Sequence, residues 1–440
     1  MKLTVLVVGS GGREHALALA LARDPAVVAV HVAPGNAGTH QLARKQGLAP
    51  DDATVAELAG LDPLDGAAVV GLARRLDANL VVIGPEAPLV AGVADQVRRA
   101  GIACFGPSGA AAQLEGSKQY AKQVMAAAGV PTARSYYCSS PAEVGEALDD
   151  FGPPYVVKDD GLAGGKGVVV TDDWSAAMAH AAHCGPVVVE EYLDGPEVSL
   201  FAICDGTTAL PLQPAQDFKR VGDGDTGANT GGMGAYCPLP WAPAELVDAT
   251  MDRVIRPVLA EMARRGTPFV GLLYAGLALT SHGLRVVEFN ARFGDPETEA
   301  ILPLLGSPLG QVLYSAATGR LAEDGWTEST GLTWHDGSAV VVIKAAPGYP
   351  AKPVTGAALT WPEPPDGVEL VHCGTAAGPG GAVVATGGRV LGVVGRGEDL
   401  EAARRTVYGF VGQVDFPGGF HRRDIAERAA AGLIAVPAAL

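Results

Sequence analysis

The chain has 440 residues, of which 48% are hydrophobic and 6% aromatic, and its formal net charge is −16. This length predicts roughly three domains at about 150 residues each. The negative charge argues against binding to nucleic acid or to an acidic membrane surface, because affinity for phosphate backbones needs clustered cations. The 59 glycines and 32 prolines are typical of a loop-rich α/β protein made of many short elements.

The chain begins with an apolar run that is too short for a signal peptide or a membrane span. Its six cysteines are widely spaced and form neither a C-x-x-C pair nor a zinc-binding pattern. We therefore expect a cytoplasmic protein with reduced cysteines. The sequence contains no internal repeat.

Apolar strands at residues 3–8, 27–32 and 80–83 alternate with helical patterns in the first part of the chain. This alternation predicts a parallel sheet in a domain spanning residues 1–107, with ligands at the carboxyl ends of its strands. Polar, glycine-bearing turns follow all three strands, at residues 9–14, 34–39 and 84–89. We expect a binding site at that edge.

The first of these turns, Gly9-Ser-Gly-Gly-Arg-Glu14, opens a helix and directs backbone N–H groups toward a possible phosphate. It matches a dinucleotide fingerprint incompletely, because Glu14 occupies the third glycine position and the second strand ends at His31 and Val32 without an acidic residue. The motif favours a small phosphorylated metabolite over NAD. A purely structural turn is the remaining alternative.

A second domain is predicted over residues 108–320, with a lid at about 124–190. A helix runs from Gly116-Ser-Lys118 to about residue 128, and a hairpin follows at 155–158 and 168–171. The loop between these strands, residues 159–167, lacks Walker A spacing, yet its glycines let backbone N–H groups fold over phosphates. Lys158 adds a point charge there. A flexible surface hairpin and a solvated Lys118 are the simpler alternatives.

The apolar strand at residues 187–193 ends among carboxylates that include those of Glu190, Glu191 and Glu197. Such a strand end offers backbone groups to an adenine edge, and Glu197 suits ribose hydroxyls. An ordinary strand and turn explains the pattern equally well. A strand at 197–204 then pairs with 210–214.

A long polar loop spans residues 217–234 and contains Gly222-Asp-Gly-Asp-Thr-Gly227. It lacks the glutamate that a calcium-binding loop needs at position twelve. Its glycines predict a mobile loop, and Lys219 and Arg220 beside it indicate that it closes over a charged substrate. A helix follows at about 246–265.

The hairpin of residues 271–290 carries the most informative pattern. Strand alternation predicts that Val286, Glu288 and Asn290 share one side, opposite Arg285 and Val287. A carboxylate and a carboxamide oxygen two residues apart suit Mg²⁺, which keeps open positions for nucleotide phosphates. Just beyond, Arg292 and Asp295 are suited to an anionic carboxylate and an ammonium group, or else to a salt bridge with each other.

The third domain is predicted over residues 321–440, with strands at 338–344 and 390–395 and a helix at about 398–410. The fold class is therefore α/β, with an N-terminal parallel sheet, a nucleotide-binding core with a small lid, and a C-terminal α/β domain.

Taken in order, the motifs resemble the glycinamide ribonucleotide synthetase (phosphoribosylamine-glycine ligase) family of the ATP-grasp superfamily. They are Gly9-Ser-Gly-Gly-Arg-Glu-His-Ala16, Pro34-Gly-Asn-Ala-Gly-Thr39, Lys158 with Asp160-Gly-Leu-Ala-Gly-Gly-Lys-Gly167, Glu190-Glu-Tyr-Leu-Asp-Gly-Pro-Glu197, the loop Gly222–Gly234 and Glu288-Phe-Asn-Ala-Arg-Phe-Gly-Asp-Pro-Glu-Thr298. The resemblance covers the whole chain. In the last domain it continues through Pro347-Gly-Tyr-Pro350, His372-Cys-Gly-Thr375 and Arg422-Arg-Asp-Ile425.

The resemblance implies that ATP, glycine and 5-phosphoribosylamine give glycinamide ribonucleotide, ADP and phosphate through a glycyl phosphate, an early step of purine biosynthesis. It implies Mg²⁺ or Mn²⁺ as cofactor, small molecules as the only partners, and a monomer. The implied ATP-binding residues are Lys118, Lys158, Gly161, Gly164, Gly165, Lys166, Gly167, Glu190, Glu191, Tyr192, Leu193 and Glu197. The implied metal ligands are Glu288 and Asn290. Catalytic roles fall to Arg292, Asp295 and Lys219, and substrate binding to Gly11, Gly12, Arg13, Asn36, Gly38, Thr39, Glu86 and Asp217.

Three positions depart from the usual family pattern, namely Asp159, Gly164 and Ala228, and none removes an implied ligand. The strand at residues 271–279 lacks the second metal carboxylate that many ATP-grasp relatives carry, so phosphates and water are expected to complete the coordination. The nearest alternative is an ATP-grasp ligase for another amine and acid. An NAD-dependent oxidoreductase would need the missing ribose acid, and a non-catalytic nucleotide-binding module would need no metal.

Overall fold

The computed structural model describes residues 2–45, 52–162 and 167–437. Its N-terminal part is a parallel sheet in the order β2-β1-β3-β4 with helices on both faces, as predicted. Its strands are β1 (Leu3–Gly9), β2 (Val27–Pro34), β3 (Leu80–Ile83) and β4 (Ala103–Phe105), and its helices are α1 (Gly12–Ala22), α2 (Ala37–Lys45), α3 (Asp52–Ala59), α4 (Gly66–Arg75), α5 (Glu86–Val90) and α6 (Val93–Arg99). Strand β1 is an apolar run buried on both faces, which is the usual pattern in a parallel sheet covered by helices.

The middle of the chain carries two antiparallel sheets that face each other across a cleft. Its helices are α7 (Gln113–Gly116), α8 (Lys118–Ala128), α9 (Pro141–Phe151), α10 (Trp174–Ala181), α11 (Leu246–Thr250), α12 (Arg256–Arg264), α13 (Glu297–Ile301) and α14 (Leu309–Ala317). Its strands are β5 (Ser135–Cys138), β6 (Tyr155–Asp159), β7 (Val168–Thr171), β8 (Val187–Glu190), β9 (Glu197–Asp205), β10 (Ala209–Pro211), β11 (Gln216–Asp217), β12 (Arg220–Gly222), β13 (Thr226–Asn229), β14 (Gly234–Cys237), β15 (Val270–Thr280) and β16 (Gly283–Asn290).

The smaller of the two sheets, the lid sheet, has the order β5-β8-β6-β7 and packs against α9 and α10 through its own apolar core. The larger one, the floor sheet, has the order β10-β9-β15-β16. One face of the floor sheet joins the main apolar core through alternate residues of β15, among them Leu273, Ala275 and Leu277. Its other face packs in part into a second apolar cluster through Phe201, Ile203 and Leu272, and it carries Glu288 and Asn290 where it borders the cavity.

The C-terminal part shares a five-stranded antiparallel sheet with the middle of the chain, in the order β11-β14-β17-β22-β19. Its elements are β17 (Ser338–Ala345), β18 (Ala358–Leu359), β19 (Val368–His372), β20 (Thr375–Ala377), β21 (Val383–Ala385), β22 (Arg389–Gly397), α15 (Leu400–Val411) and α16 (Glu427–Ala430). This sheet crosses the boundary predicted near residue 320, and the three residue ranges proposed for the domains stay a prediction.

The polar loop of residues 217–234 is more ordered than a mobile lid would be. It contains the hairpin β12–β13, which the sequence did not predict. Both flanks of the loop, β11 and β14, belong to the five-stranded sheet, so its two ends are fixed. No helix in the described part of the chain is long and apolar enough to span a membrane.

Candidate active site

A cavity of about 1040 Å³ lies between the lid sheet, the floor sheet and the C-terminal part. Its wall is assembled from all three parts of the chain. Most of the residues that the motifs singled out line it, namely Arg13, Glu86, Lys118, Lys158, Gly161, Gly167, Glu190, Glu191, Tyr192, Leu193, Glu197, Asp217, Lys219, Glu288, Asn290, Arg292 and Asp295. Residues Gly164, Gly165 and Lys166 lie outside the described residues.

Glu288 and Asn290 share the cavity face of the floor sheet, as strand alternation predicts. They pair with Gly276 and Tyr274 of β15, which are two residues apart and therefore on one face. The prediction for Val286 is wrong. The register shifts by one residue at Val287, so Val286 pairs with Leu277 and joins the apolar core on the opposite face.

The cavity face of this strand pair fits a hard divalent cation. Gly276 stands directly opposite Glu288, and a Cβ added at Gly276 would lie 3.3 Å from the Glu288 Cγ. The missing side chain therefore leaves space beside the carboxylate. The Asn290 Oδ1 accepts only a long bond of 3.4 Å from Arg292. Within the described ranges, no three acidic, histidine or cysteine side chains form a metal-binding group, so ligands from outside the protein would have to complete the shell.

The lid side of the cavity is organised around a buried charge triad. Glu190 forms ion pairs with Lys158 at 2.7 Å and with Lys122 at 3.0 Å. Burial alone would raise the pKa of Glu190, but Lys158 and Lys122 outweigh it and the pKa is lowered. Burial likewise opposes the charge on Lys158, yet Glu190 and Glu288 raise its pKa. Both groups are therefore charged at neutral pH.

Lys158 also connects the lid sheet to the floor sheet. Its Nζ donates to the Val287 carbonyl at 3.1 Å, at the point where the register shift removes a regular strand partner. Lys118 makes a comparable link, because its Nζ donates to the Gly161 carbonyl at 2.9 Å. Ser117 Oγ, which caps helix α8, donates to Asp160 at 3.2 Å. The start of α8 is therefore joined to the near end of the glycine loop by side-chain hydrogen bonds.

The glutamate carboxylates at residues 190–197 form ion pairs with different partners. Glu191 lines the cavity and also pairs with the exposed Arg134 at 3.0 Å. Glu197 pairs with Lys219 across the cavity. Leu193 and the half-exposed Tyr192 line the wall between them. The Glu191 N–H donates to the Arg134 carbonyl at 3.0 Å, whereas Tyr192 and Leu193 belong to no regular strand.

Arg292 and Asp295 do not pair with each other. Arg292 lies 3.3 Å from both Glu86 and Glu115, whereas Asp295 lies 3.0 Å from Arg389. Burial would raise the pKa of Glu86, but Arg292 and Arg13 outweigh it and the pKa is lowered. The Arg292 guanidinium thus sits among carboxylates at the end of the cavity nearest the N-terminal sheet.

Two further carboxylates, those of Glu297 and Asp217, line the same cavity. Glu297 is buried and accepts hydrogen bonds from the Tyr274 hydroxyl at 2.6 Å and from Ser199 at 3.1 Å. Burial raises the pKa of Asp217 to about 7, with Glu297 and other carboxylates adding to the rise and Lys219 opposing it. This pair makes a negative subsite suited to a small cation.

Five of the residues predicted to bind the phosphoribosyl group do not line the cavity, namely Gly11, Gly12, Asn36, Gly38 and Thr39. Asn36 is buried and accepts hydrogen bonds from the backbone N–H groups of Gly38 and Thr39 at 3.0 and 3.1 Å. Its amide donates to the His372 carbonyl at 2.8 Å. The Gly11 N–H donates to Glu14 at 2.6 Å. These side chains and turns already have protein partners, and the residues that reach the cavity from this side are Arg13 and Glu86.

The charged residues of the site that the sequence reading missed include Glu115, Lys122, Glu297 and Arg389. Two of them carried a usable signal. Lys122 follows Lys118 by one helical turn, which places both on the same helix face. Glu297 lies within the Arg-Phe-Gly-Asp-Pro-Glu-Thr run that was singled out for its neighbours. Nothing local marked Glu115 or Arg389, which reach the site only through the tertiary fold.

Three family models match consecutive parts of the chain. Residues 3–115 match the N domain of phosphoribosylglycinamide synthetase, residues 116–298 its ATP-grasp (A) domain and residues 339–428 its C domain. These matches confirm the ATP-grasp core between an N-terminal parallel-sheet domain and a C-terminal domain.

Close relatives match over nearly their whole length. A Streptomyces coelicolor protein named phosphoribosylamine-glycine ligase is 59% identical over 431 residues, covering 97% of this chain and 99% of the relative. A Mycobacterium bovis protein of the same name is 56% identical, covering 98% and 100%. A crystal structure of phosphoribosylamine-glycine ligase from Thermotoga maritima superposes with a TM-score of 0.78 at 34% identity, covering 96% and 100%. Biotin carboxylase from Campylobacter jejuni, at 13% identity and a TM-score of 0.69, shares the fold. This chain therefore belongs to the phosphoribosylglycinamide synthetase family.

Proposed function

We propose that this chain ligates glycine to 5-phosphoribosylamine with ATP, giving glycinamide ribonucleotide, ADP and phosphate in de novo purine biosynthesis. The observation that carries this proposal is the 59% identity to a phosphoribosylamine-glycine ligase over almost all of both chains. The ATP-grasp domain match and the charged cavity between lid and floor agree with it. An ATP-grasp ligase for a different acid and amine is not favoured.

The chemistry requires activation of a carboxylate. A glycine carboxylate oxygen attacks the γ-phosphorus of ATP, the bond to ADP breaks, and a glycyl phosphate forms. The amine of phosphoribosylamine then attacks the carbonyl carbon, phosphate leaves, and the nitrogen loses a proton. Both steps gain mainly from positioning and charge neutralisation. We assign these tasks to the cationic groups of the cavity.

For ATP, we assign Lys118 and Lys158 to the phosphates, together with the glycine loop that begins at Gly161. The assignment is supported by their shared position in the cavity wall and by the positive charge of Lys158. The backbone at residues 192 and 193, which belongs to no regular strand, suits an adenine edge. Glu197 suits the ribose hydroxyls, although it must then exchange its present pairing with Lys219.

For the cation, we propose that Glu288 and Asn290 hold Mg²⁺ or Mn²⁺ when nucleotide is bound. A divalent cation in such a site would neutralise phosphate charge. The support is the shared face of the two side chains and the space that Gly276 leaves opposite Glu288.

For the other substrates, we assign Arg292 to the glycine carboxylate and the acyl phosphate made from it. Asp295 is already paired with Arg389, so Asp217 and Glu297 are better placed than Asp295 to receive the glycine ammonium group. Arg13 and Glu86 are the residues that reach the cavity from the N-terminal sheet, and we assign them to phosphoribosylamine. We further expect a monomer that works in the cytoplasm on small molecules alone.

Coupled measurement of ADP release, with each substrate omitted in turn, tests the reaction. We expect release to require glycine, phosphoribosylamine and a divalent cation together. Glu288→Ala should lower the rate by about a hundredfold or more and raise the Mg²⁺ concentration needed for half-maximal rate. Release of ADP without glycine or without the amine would contradict the proposed reaction. An unchanged Mg²⁺ response in Glu288→Ala would remove Glu288 from the metal site.

A further inference from the structure

A short segment of the C-terminal part, residues 422–424, holds the polar loop that borders the cavity. The Arg422 Nη1 donates to the Arg220 carbonyl at 3.0 Å and to Asp225 Oδ1 at 2.8 Å. Two backbone contacts flank it, because the Arg423 N–H donates to Asp223 at 2.8 Å and the Gly224 N–H donates to Asp424 at 2.8 Å. The hairpin β12–β13 is thus fastened at several points to residues about 200 positions away in the chain.

Arg422 is the centre of this contact, and its burial is unusual for an arginine. Only 1% of its surface is exposed. Its Nε and Nη2 form a two-pronged pair with Asp424 at 2.8 and 2.6 Å, and its guanidinium lies 4.8 Å from the ring centroid of Phe218. A buried guanidinium is costly unless it is paired, and here Nε, Nη1 and Nη2 all donate to oxygen atoms while one face lies against Phe218.

These contacts matter for the cavity because Lys219, which lines it, lies between Phe218 and Arg220 in the chain. Phe218 packs under the guanidinium and Arg220 gives it a carbonyl oxygen, so Arg422 holds both neighbours of Lys219. The Lys219 carbonyl is held in turn by the Thr230 N–H at 2.7 Å and by the Thr230 hydroxyl at 2.9 Å. Its side chain alone points into the cavity, where the Nζ pairs with Glu197.

We propose that Arg422 is a positioning residue that sets the Lys219 ammonium in the cavity from the C-terminal part of the chain. The inference rests on the proposed function insofar as Lys219 acts in that reaction. Asp424, the two-pronged partner of Arg422, itself lines the cavity, so the clamp and the site are continuous. The C-terminal part therefore contributes to the geometry of the reaction as well as to the sheet.

The clamp can be tested without reference to catalysis. Trypsin cleaves after Lys219 and Arg220, which the clamp keeps in a fixed backbone. Arg422→Met should increase cleavage there about tenfold or more under native conditions, because the open state becomes more populated. Arg422→Lys should behave similarly, since an ammonium group cannot reproduce the two-pronged pair. Arg423→Met is the matched control, because its side chain is exposed and its backbone bond to Asp223 remains. Unchanged cleavage in both Arg422 variants would overturn the proposal.

A double-mutant cycle then separates positioning from a general loss of structure. Arg422→Met and Lys219→Met should each lower kcat/KM by about 10- to 100-fold, and the double variant should be no more than about twofold slower than the slower single variant. Multiplicative losses, or a Lys219→Met enzyme as fast as the wild type, would overturn the proposal. If Arg422→Met fails to fold, Asp424→Asn takes its place in both experiments. A wild type without glycine-dependent ADP release would refute the proposed function, and the trypsin result would still decide the clamp.

Discussion

Glu299 is the most unusual single residue near the site. Its side chain is fully buried, and neither carboxyl oxygen has a hydrogen-bond partner among the residues that the structure describes. A Cβ added at Gly12 would overlap its Oε1, so it lies against the first glycine turn. Burial raises its pKa well above the usual range, and the Asp295 charge adds to the rise while Arg389 opposes it. We infer a neutral carboxylic acid at pH 7.

The neutral acid makes stability depend on pH in a defined direction. The folded state keeps a proton that the unfolded chain releases above the usual glutamate pKa of about 4.3, so this group removes stability as the pH rises above that value. The Glu299→Gln variant has no ionisable group at this position, so its stability lacks this dependence on pH. We expect the free energy of unfolding of the variant, minus that of the wild type, to increase as the pH rises from 5 to 8, by up to about 1.4 kcal/mol per pH unit. Urea unfolding of both proteins at each pH measures the difference. A difference independent of pH would show that Glu299 is ionised in the folded state.

At the scale of elements, the apolar patterns were sufficient to predict most strands and helices. Five strands appear within about a residue of their predicted bounds, namely β1, β6, β7, β15 and β17. Each of them shows its alternating or continuously apolar pattern within its own few residues. The register shift at Val287 was not predictable from alternation, since a bulge depends on the partner strand. The hairpin β12–β13 was missed for a related reason. Its glycines indicate mobility, and the contacts that order it come from Arg422 and Asp424.

The site residues likewise divide into those that a local motif reveals and those that depend on tertiary contacts. Glu288, Asn290 and Lys158 were found because a short motif places each on a strand facing the cavity. Lys122 was not, although it meets the lid strand β8 from helix α8. Its Nζ also donates to the Thr132 hydroxyl and to the Ala133 carbonyl, both at 2.9 Å. Lys122 thus connects α8, the segment before β5 and the Glu190 carboxylate. The spacing from Lys118 places Lys122 on the same helix face, but it does not reveal which residues Lys122 contacts.

Removing Lys122 should therefore affect the nucleotide more than the other substrates. In Lys122→Met, Glu190 loses one of its two lysine partners and pairs with Lys158 alone. The Lys158 ammonium is then neutralised more completely by Glu190 and attracts the ATP phosphates less. We expect the KM for ATP to rise about tenfold, equivalent to about 1.4 kcal/mol, with the KM for glycine changed less than about twofold. Initial rates with each substrate varied in turn provide the measurement. Lys352→Met serves as the control because Lys352 is exposed and outside the cavity. An equal rise in both KM values would assign Lys122 a general structural role.

At the scale of the molecule, the N-terminal and C-terminal parts meet directly. The His372 N–H donates to His15 Nδ1 at 2.8 Å, and the Asn36 amide donates to the His372 carbonyl at 2.8 Å and to the Ser10 carbonyl at 2.9 Å. An exposed pair, Arg23 with Glu369, lies nearby. Asn36 was predicted from the family resemblance to bind substrate. Its hydrogen bonds give it a second possible role, as a connection between the two ends of the chain.

Asn36→Asp distinguishes these roles. The substitution keeps an oxygen for the Gly38 and Thr39 N–H groups but sets a second oxygen against the carbonyls of Ser10 and His372. We expect the free energy of unfolding, measured in urea, to fall by about 2–4 kcal/mol. This is the cost of a buried carboxylate oxygen that faces carbonyl oxygens and has no hydrogen-bond donor. Asn79→Asp is a control, because the Asn79 amide likewise accepts from a backbone N–H, that of Thr4, and donates to a backbone carbonyl, that of Lys2, but at an exposed position. There water replaces the lost bond, and the loss should stay below about 1 kcal/mol.

The two roles also separate in the kinetics. If Asn36 acts as a connection, the variant should lose stability while the enzyme that remains folded keeps its KM for phosphoribosylamine within about threefold. If Asn36 instead contacts the substrate, that KM should rise by about tenfold or more with stability nearly unchanged, because one lost hydrogen bond to a bound ligand costs about 1.4 kcal/mol. The second result would require Asn36 to release the His372 carbonyl when phosphoribosylamine binds, which would leave the His372 N–H bond to His15 Nδ1 as a direct contact between the two parts.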